Sequence, residues 1–330
     1  QKNQWVVNYK TNNNGDAVEN EGNLFSFGNR WEGTRRSNAQ NDWLNVENAS
    51  TPSLPVSRYL MNNVHFLSAN VLTTPFENKE WEVKASSSYT NNDVERASYN
   101  ESFDKQFNRT TIFQRDNNFF TNKAKGELII TKNAKLGFFK NTTTFNQYWN
   151  TDRAKVDVNY TNYNLANKYS EQSVESPTTS FQNSLSTIIP WKKKLLNVMS
   201  FISYQDDKQT LQVSPGGYVA GGLVSNFIGA DRIDQNFKMK TFEANHSATM
   251  GFTVKKWTIT PEVGYNYLSN DMTSQLLQLR NNQLTGFDDS FNNDLTFRQS
   301  VPYANLGLNY KNENWSANLR LPANFTNIIA

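Results

Sequence analysis

Polar and apolar residues alternate with a period of two along much of the chain, the repeat of a strand whose two faces meet different surroundings. Over residues 81–90 one face reads Trp81, Val83, Ala85, Ser87 and Tyr89, the other Glu82, Lys84, Ser86, Ser88 and Thr90. Over residues 241–254, Phe242, Ala244, His246, Ala248, Met250, Phe252 and Val254 oppose Thr241, Glu243, Asn245, Ser247, Thr249, Gly251 and Thr253. Trp257, Ile259, Pro261, Val263, Tyr265 and Tyr267 oppose Thr258, Thr260, Glu262, Gly264 and Asn266. Asn122, Ala124, Gly126, Leu128 and Ile130 oppose Thr121, Lys123, Lys125 and Glu127, and Ala304, Leu306, Leu308 and Tyr310 oppose Tyr303, Asn305, Gly307 and Asn309. No stretch sustains the three-and-four apolar spacing of an amphipathic helix. The pattern predicts an all-β protein of about ten to twelve antiparallel strands.

The connections fall into two classes. Short polar turns precede Trp81, Trp257 and Trp315, another begins at Trp191, and one at residues 132–135 has no Trp. Polar stretches at 29–58, 91–117, 150–178, 206–239 and 269–299 read as long loops. Short turns at one end and long loops at the other are the layout of a transmembrane antiparallel β-barrel, whose strands are apolar outside and polar inside. Trp81 and Tyr89 share a face eight residues apart, and Trp257 and Tyr265 repeat the spacing. Eight residues at ~3.3 Å span about 26 Å before correction for tilt, close to the ~25 Å apolar band of such barrels. Trp at one border and Tyr at the other would form two interfacial girdles, with members Trp81, Tyr89, Trp191, Tyr204, Trp257, Tyr265, Trp315 and Tyr310. A soluble sandwich or propeller is the alternative, but it does not require the long connections to gather at one end.

Composition agrees with separated surroundings. Hydrophobic residues make up only 37% of the chain, yet aromatics reach 13% and Asn alone supplies 49 residues. A mean hydropathy of −0.72 excludes a bundle of membrane helices. The absence of Cys excludes disulfide staples and thiolate metal sites, and two His argue against a His-based zinc site. A net charge of +3 leaves no nucleic-acid footprint. No secretory signal opens the chain, and strand-like runs stand at both ends, so the expectation is a piece of a longer protein.

Three stretches carry a likeness. Lys2-Asn3-Gln4-Trp5-Val6-Val7-Asn8-Tyr9-Lys10-Thr11-Asn12-Asn13-Asn14-Gly15-Asp16 resembles a segment early in the barrels of TonB-dependent receptor-like proteins, in the subgroup with an N-terminal carboxypeptidase-regulatory-like domain. Arg58-Tyr59-Leu60-Met61-Asn62-Asn63-Val64-His65 and Lys255-Lys256-Trp257-Thr258-Ile259-Thr260-Pro261-Glu262-Val263-Gly264-Tyr265 are similar to the same subgroup. The resemblance implies an outer-membrane protein roughly two to three times this length, with a plug inside a 22-stranded barrel. Residues 1–330 would be a barrel segment without the plug, and without the terminal aromatic that such proteins usually carry. It further implies capture of a glycan, peptide or metal complex by the loops and lumen, and release when a TonB-type energy-transducing complex pulls on the plug. The alternative within the same build is a platform for surface lipoproteins, other outer-membrane proteins or a secretion or adhesion complex.

The candidate site residues are the charges on the polar faces, Glu82, Lys84, Lys123, Lys125, Glu127, Glu243 and Glu262. Lumen substitutions tune selectivity in barrels; the same charges could equally pair with one another or with a plug. His65 and His246 stand alone, His246 between Ala244 and Ala248 on an apolar face, so neither reads as a metal ligand. Asp288, Asp289 and Asp294, beside Asn292 and Asn293, offer oxygen ligands for calcium without the EF-hand spacing. The Gly216-Gly217 and Gly221-Gly222 pairs lack the context of a phosphate loop. Trp31, Trp43 and Tyr160 fall in the expected loops and Phe119 at the edge of one, where they could stack on a ligand, contact a surface partner or pack the loops. No catalytic set, metal site or cofactor is predicted, and the chain does not read as an enzyme.

Overall fold

The computed structural model describes residues 3–13, 41–54, 61–134, 137–161, 168–192, 194–216, 218–219, 222–223, 229–287 and 289–329. Its strands in chain order are β1 Asn3–Asn12, β2 Met61–Thr73, β3 Trp81–Asp104, β4 Arg109–Asn133, β5 Phe138–Thr161, β6 Lys168–Trp191, β7 Lys194–Ser214, β8 Tyr218–Val219 and β9 Gly222–Leu223. There follow β10 Arg232–Met250, β11 Phe252–Val254, β12 Trp257–Arg280, β13 Gln283–Gly286, β14 Asn293–Lys311, β15 Ser316–Asn324 and β16 Asn327–Ile329. One antiparallel 14-stranded sheet runs in the order β1-β2-β3-β4-β5-β6-β7-β10-β12-β14-β15, with β11, β13 and β16 as short additions and β8-β9 as a separate pair. Each long strand lies beside its neighbour in sequence, and β1 and β15 end the sheet without meeting, so the sheet is open.

The stretches read as long loops are largely strand. β3 continues to Asp104 and β4 begins at Arg109, with unbroken pairing from Trp81↔Lys132 to Asp104↔Arg109. β5, β6, β7, β10, β12 and β14 likewise extend through most of 150–178, 206–239 and 269–299. In these segments the outer face is polar and the inner face mixes polar residues with apolar ones such as Ala154, Val156 and Val158, so the overall polarity resembles that of a loop. The backbone ladder does not depend on side-chain polarity and continues through these residues. Residues 29–40 and 55–58 of the first expected loop lie outside the described residues. Residues 41–54 form no strand.

Alternation sets the two faces. The even-numbered residues of β3 and β5, and the odd-numbered residues of β4, point to the more buried side: Lys84, Glu127 and Asn146 are buried, whereas Tyr89, Leu128 and Phe145 are exposed. The exposed face carries an apolar belt. On β4 it reads Ala124, Gly126, Leu128 and Ile130, on β12 Ile259, Pro261 and Val263, and on β15 Leu319, Leu321 and Ala323. Beyond Tyr89 the same face turns charged, with Asp93 and Glu95 on β3, Arg153, Lys155 and Asp157 on β5, and Asp206 and Lys208 on β7.

The borders of the belt report the strand tilt. The ladder row through Trp81 passes Lys132, Phe139, Thr187, Val198 and Ala248 to Val263, six residues above Trp257. The row through Tyr89 passes Ala124, Gln147, Thr179, Asp206 and Lys240 to Asp271, six residues above Tyr265. Both borders therefore drop six residues in the six strand steps from β3 to β12, an average of one per step. A drop of ~3.3 Å per ~4.8 Å step is an angle of about 35°, within the ~35–45° tilt of barrel strands. Corrected for that tilt, eight residues cover about 22 Å along the axis.

Candidate functional site

The inner face carries the polar chemistry, in three groups. The first is basic. Lys84 on β3 and Lys123, Lys125 and Glu127 on β4 point inward together with Glu82, because Lys84 pairs with Ile129, Glu82 with Thr131 and Thr90 with Lys123. Lys84 and Glu127 are buried, and Lys123 Nζ lies 5.5 Å from the Tyr148 ring centroid. Lys84, Lys123, Lys125 and Glu127 all engage partners. These five predicted residues occupy one patch of wall.

The second group is acidic and lies on β10, β12 and β14, so Glu243 and Glu262 are separated from the lysines by the inner row of β6, which carries no charge from Ser170 to Pro190. Glu243 is buried, and its Oε1 accepts from Asn245 Nδ2 at 2.7 Å. Glu262 accepts from Tyr303 Oη at 3.3 Å, Asn305 Nδ2 at 3.2 Å and Arg320 Nη2 at 3.4 Å. Tyr303 lies flat over Gly264 on the neighbouring strand, where an added Cβ would stand 2.2 Å from Tyr303 Cζ. A cavity of about 620 Å³ opens here, lined by Glu243, Asn245, Glu262, Gln299, Tyr303 and Phe201 among others. Tyr303, Asn305 and Arg320, which satisfy Glu262, were not among the predicted residues; only Tyr303 and Asn305 shared a recognised polar face.

The third group was not predicted. Residues 41–54 cross the inner face beyond the belt as a strap. Trp43 and Leu44 donate their backbone N–H groups to Gln209 Oε1 at 3.0 and 2.8 Å. The Glu47 N–H donates to Gln172 Oε1 at 2.8 Å, and the Ala49 N–H to Asn117 Oδ1 at 2.5 Å. Asn117 Nδ2 donates back to the Glu47 carbonyl at 3.0 Å, and Gln209 Nε2 to the Asn41 carbonyl. Arg115 Nη2 meets Glu47 Oε1 at 2.9 Å. Val46 packs with Ala154, Val156, Val158 and Val174, all buried, and with Leu44, Phe113, Phe119, Tyr160 and Leu211 around them. Phe119 and Tyr160 are thus wall residues, and Trp43 stacks at 5.2 Å on Phe237 of β10. Asp152, inward on β5 at the level of these contacts and beyond the belt, has its carboxyl pushed up to about 6 by burial and by Asp42 of the strap.

The outer face holds the aromatic borders. Trp81, Trp191, Trp257 and Trp315 stand at the short-turn end, and all but Trp81 are strongly exposed. Tyr89, Tyr204 and Tyr265 lie higher on the same face. Tyr310 departs from the rule of Trp at one border and Tyr at the other. β14 runs toward the short turns, so Tyr310 ends beside Trp257 and Trp315, at 5.0 and 5.1 Å between centroids. Polar side chains inside the belt satisfy one another: Asn141 and Asn183 exchange amide hydrogen bonds at 3.2 and 3.1 Å, Asn183 donates to Thr143 at 2.8 Å, and His246 Nδ1 lies 2.9 Å from Ser200 Oγ. His65 bonds Tyr9 at 2.7 Å.

Among the described residues no three His, Cys, Asp or Glu side chains form a metal-holding group. Asp288 lies outside the described residues, as do Trp31, Gly217 and Gly221; Asp289 takes an Asn292 amide at 3.3 Å instead. No helix among the described residues is long and apolar enough to cross a membrane. Comparison with family models, curated proteins and solved structures returned no match, so the site is read from its own geometry.

Proposed function

We propose that the chain is a wall segment of a larger, closed outer-membrane β-barrel, serving as a TonB-dependent transport receptor for a nutrient such as a glycan, peptide or metal complex. The observation that carries the membrane part is the belt: an apolar band whose aromatic borders stand eight residues apart on both β3 and β12, and whose borders between those strands descend along a line tilted by about 35°. A lipid core imposes such a band, since it meets every strand at the same depth. A soluble β-fold has no reason to repeat the same aromatic spacing six strands away. The inward charges and the cavity at Glu243 and Glu262 support a lumen that handles polar solute. The plug and the energy-transducing partner are expected on the rest of the protein, and the open edges at β1 and β15 fit a segment that further strands would close.

Fluorescence in bilayers tests the membrane part. Brominated lipids should quench Trp81, Trp191 and Trp257 and leave Trp43 bright, with single-Trp variants separating the signals. A chain that folds in plain buffer with all its Trp residues equally accessible would overturn it. For the transport part, cells carrying the whole gene should lose energised uptake of the nutrient when the gene is deleted or the proton gradient collapsed. Uptake that persists, together with loss of a surface lipoprotein on deletion, would replace the receptor by a platform.

A further inference from the structure

The strap is held mostly by its main chain. Three inward carboxamides, Asn117 on β4, Gln172 on β6 and Gln209 on β7, are 4%, 6% and 1% exposed. Between them they take the N–H groups of residues 43, 44, 47 and 49, and two return a bond to a strap carbonyl. The strap crosses the strands in step with them. Ser50 is reached by Asn100 of β3, and Trp43 lies on Phe237 of β10. Those contacts are seven residues and five strand steps apart, about 23 Å of extended chain against about 24 Å of sheet. Side chains enter at only a few points: Val46 and Ala49, each 4% exposed, fill an apolar floor, and Glu47 meets Arg115.

The fit has internal costs. Glu47 Oε2 is buried without a hydrogen-bond partner, its Oε1 taking both Arg115 contacts. Asp42 stands where its charge opposes that of Asp152. A groove that reads backbone does not require this particular segment, and a segment that docks with an unmet carboxylate oxygen and a like-charge neighbour is one that can be exchanged.

We propose that the inner face of β4–β7 beyond the belt is a binding site for extended polypeptide, read through its backbone amides, and that residues 41–50 are its resident, displaceable occupant. The ligand class is a peptide in extended form with a small or β-branched apolar residue next to an acidic one. Free peptide gains access when the strap leaves. The site belongs to the inner wall and does not depend on what the outer face meets, so its failure and that of the membrane reading are separable.

The test uses the purified chain in detergent and a fluorescent peptide of residues 41–50. In a variant carrying Val46→Asp and Ala49→Asp, which expels the strap and leaves the three carboxamides, the peptide should bind saturably. Methylating its backbone nitrogens at the positions of Leu44, Glu47 and Ala49 should weaken binding by at least about tenfold, as should Gln209→Leu in the protein, whereas methylation at Asn45 and Asn48 should leave it within a few-fold. In the unaltered chain, amide exchange at residues 44, 47 and 49 should be slow and should quicken when the peptide is added in excess. Binding indifferent to the methylated position, or no saturable binding to a variant with protected β4–β7 amides, overturns the proposal. So does strap protection that excess peptide leaves unchanged in the unaltered chain, a measurement that stands even where the variant fails to fold.

Discussion

Gly264→Ala isolates one packing decision on the inner wall. The new Cβ would lie 2.2 Å from Tyr303 Cζ, 2.4 Å from its Oη and 2.5 Å from its Cε1. Ordinary contact begins near 3.4 Å, so the ring must retreat by more than an ångström. Its hydroxyl donates to Glu262 Oε1 at 3.3 Å, and a retreat of that size breaks the bond. Overpacking costs about 1–3 kcal/mol, and loss of a hydrogen bond to a charged group about 1.5–3 kcal/mol. Because the ring can turn partly aside, the expected total is about 3 kcal/mol. Equilibrium unfolding of the refolded chain in detergent, followed by intrinsic fluorescence, gives the measurement. Repeating it in a Tyr303→Leu background supplies the control: with the ring gone, the same alanine should cost under about 1 kcal/mol, leaving a coupling of about 2 kcal/mol between the positions. An alanine that costs the same in both backgrounds, or nothing in either, would refute the account of Gly264 as a seat for the tyrosine.

Three further outcomes are expected. Val198, at mid-belt on β7, and Asn197 are neighbours on opposite faces, so Val198→Lys should lower stability in lipid vesicles by about 2–4 kcal/mol while Asn197→Lys costs far less; equal effects would mean the outer face meets no lipid. Val156 is fully buried beneath the strap, so Val156→Ala should cost about 2 kcal/mol by denaturant titration and loosen the strap first, seen as faster exchange of its amides. The raised Asp152 carboxyl, about 6 against an ordinary 3.8, keeps its proton in the folded chain at pH values where the unfolded chain has lost it. Its contribution is therefore fully present below about pH 4 and is lost as pH rises through about 6. Strap protection corrected for intrinsic exchange should be higher at pH 5 than at pH 7.5, and Asp152→Asn should remove that difference.

Legibility followed the contrast between the two faces. Inside the belt the surroundings differ, so the residues themselves sorted into Trp81, Val83 and Tyr89 on one side and Glu82, Lys84 and Thr90 on the other. Beyond the belt the contrast reverses and breaks up: the outer face is charged, and the inner face mixes polar residues with the apolar floor of Ala154, Val156, Val158 and Val174, so polar composition there reads as loop. The sites suffered the same fate. Glu82, Lys84, Lys123, Lys125, Glu127, Glu243 and Glu262 could be assigned to one face because they form the polar half of an alternating pattern. Asn117, Gln172 and Gln209 could not, since in a chain with 49 Asn a buried carboxamide and a hydrated one are the same letter.

The sequence by itself determined the strand period, the facing of each side chain within the belt and the eight-residue distance between its aromatic borders, because side-chain direction in a strand is a local property of the backbone. It could not determine how the borders line up from strand to strand. That needed the registers, which show an average of one residue of descent per step and hence the tilt. Nor could it bring residues 41–54 onto the inner face of β4–β7, more than a hundred residues away from Gln172 and Gln209 along the chain. Hydrogen bonds and burial at that separation arise only when the strands lie side by side and give the strap a floor, so the tertiary structure alone decided this site.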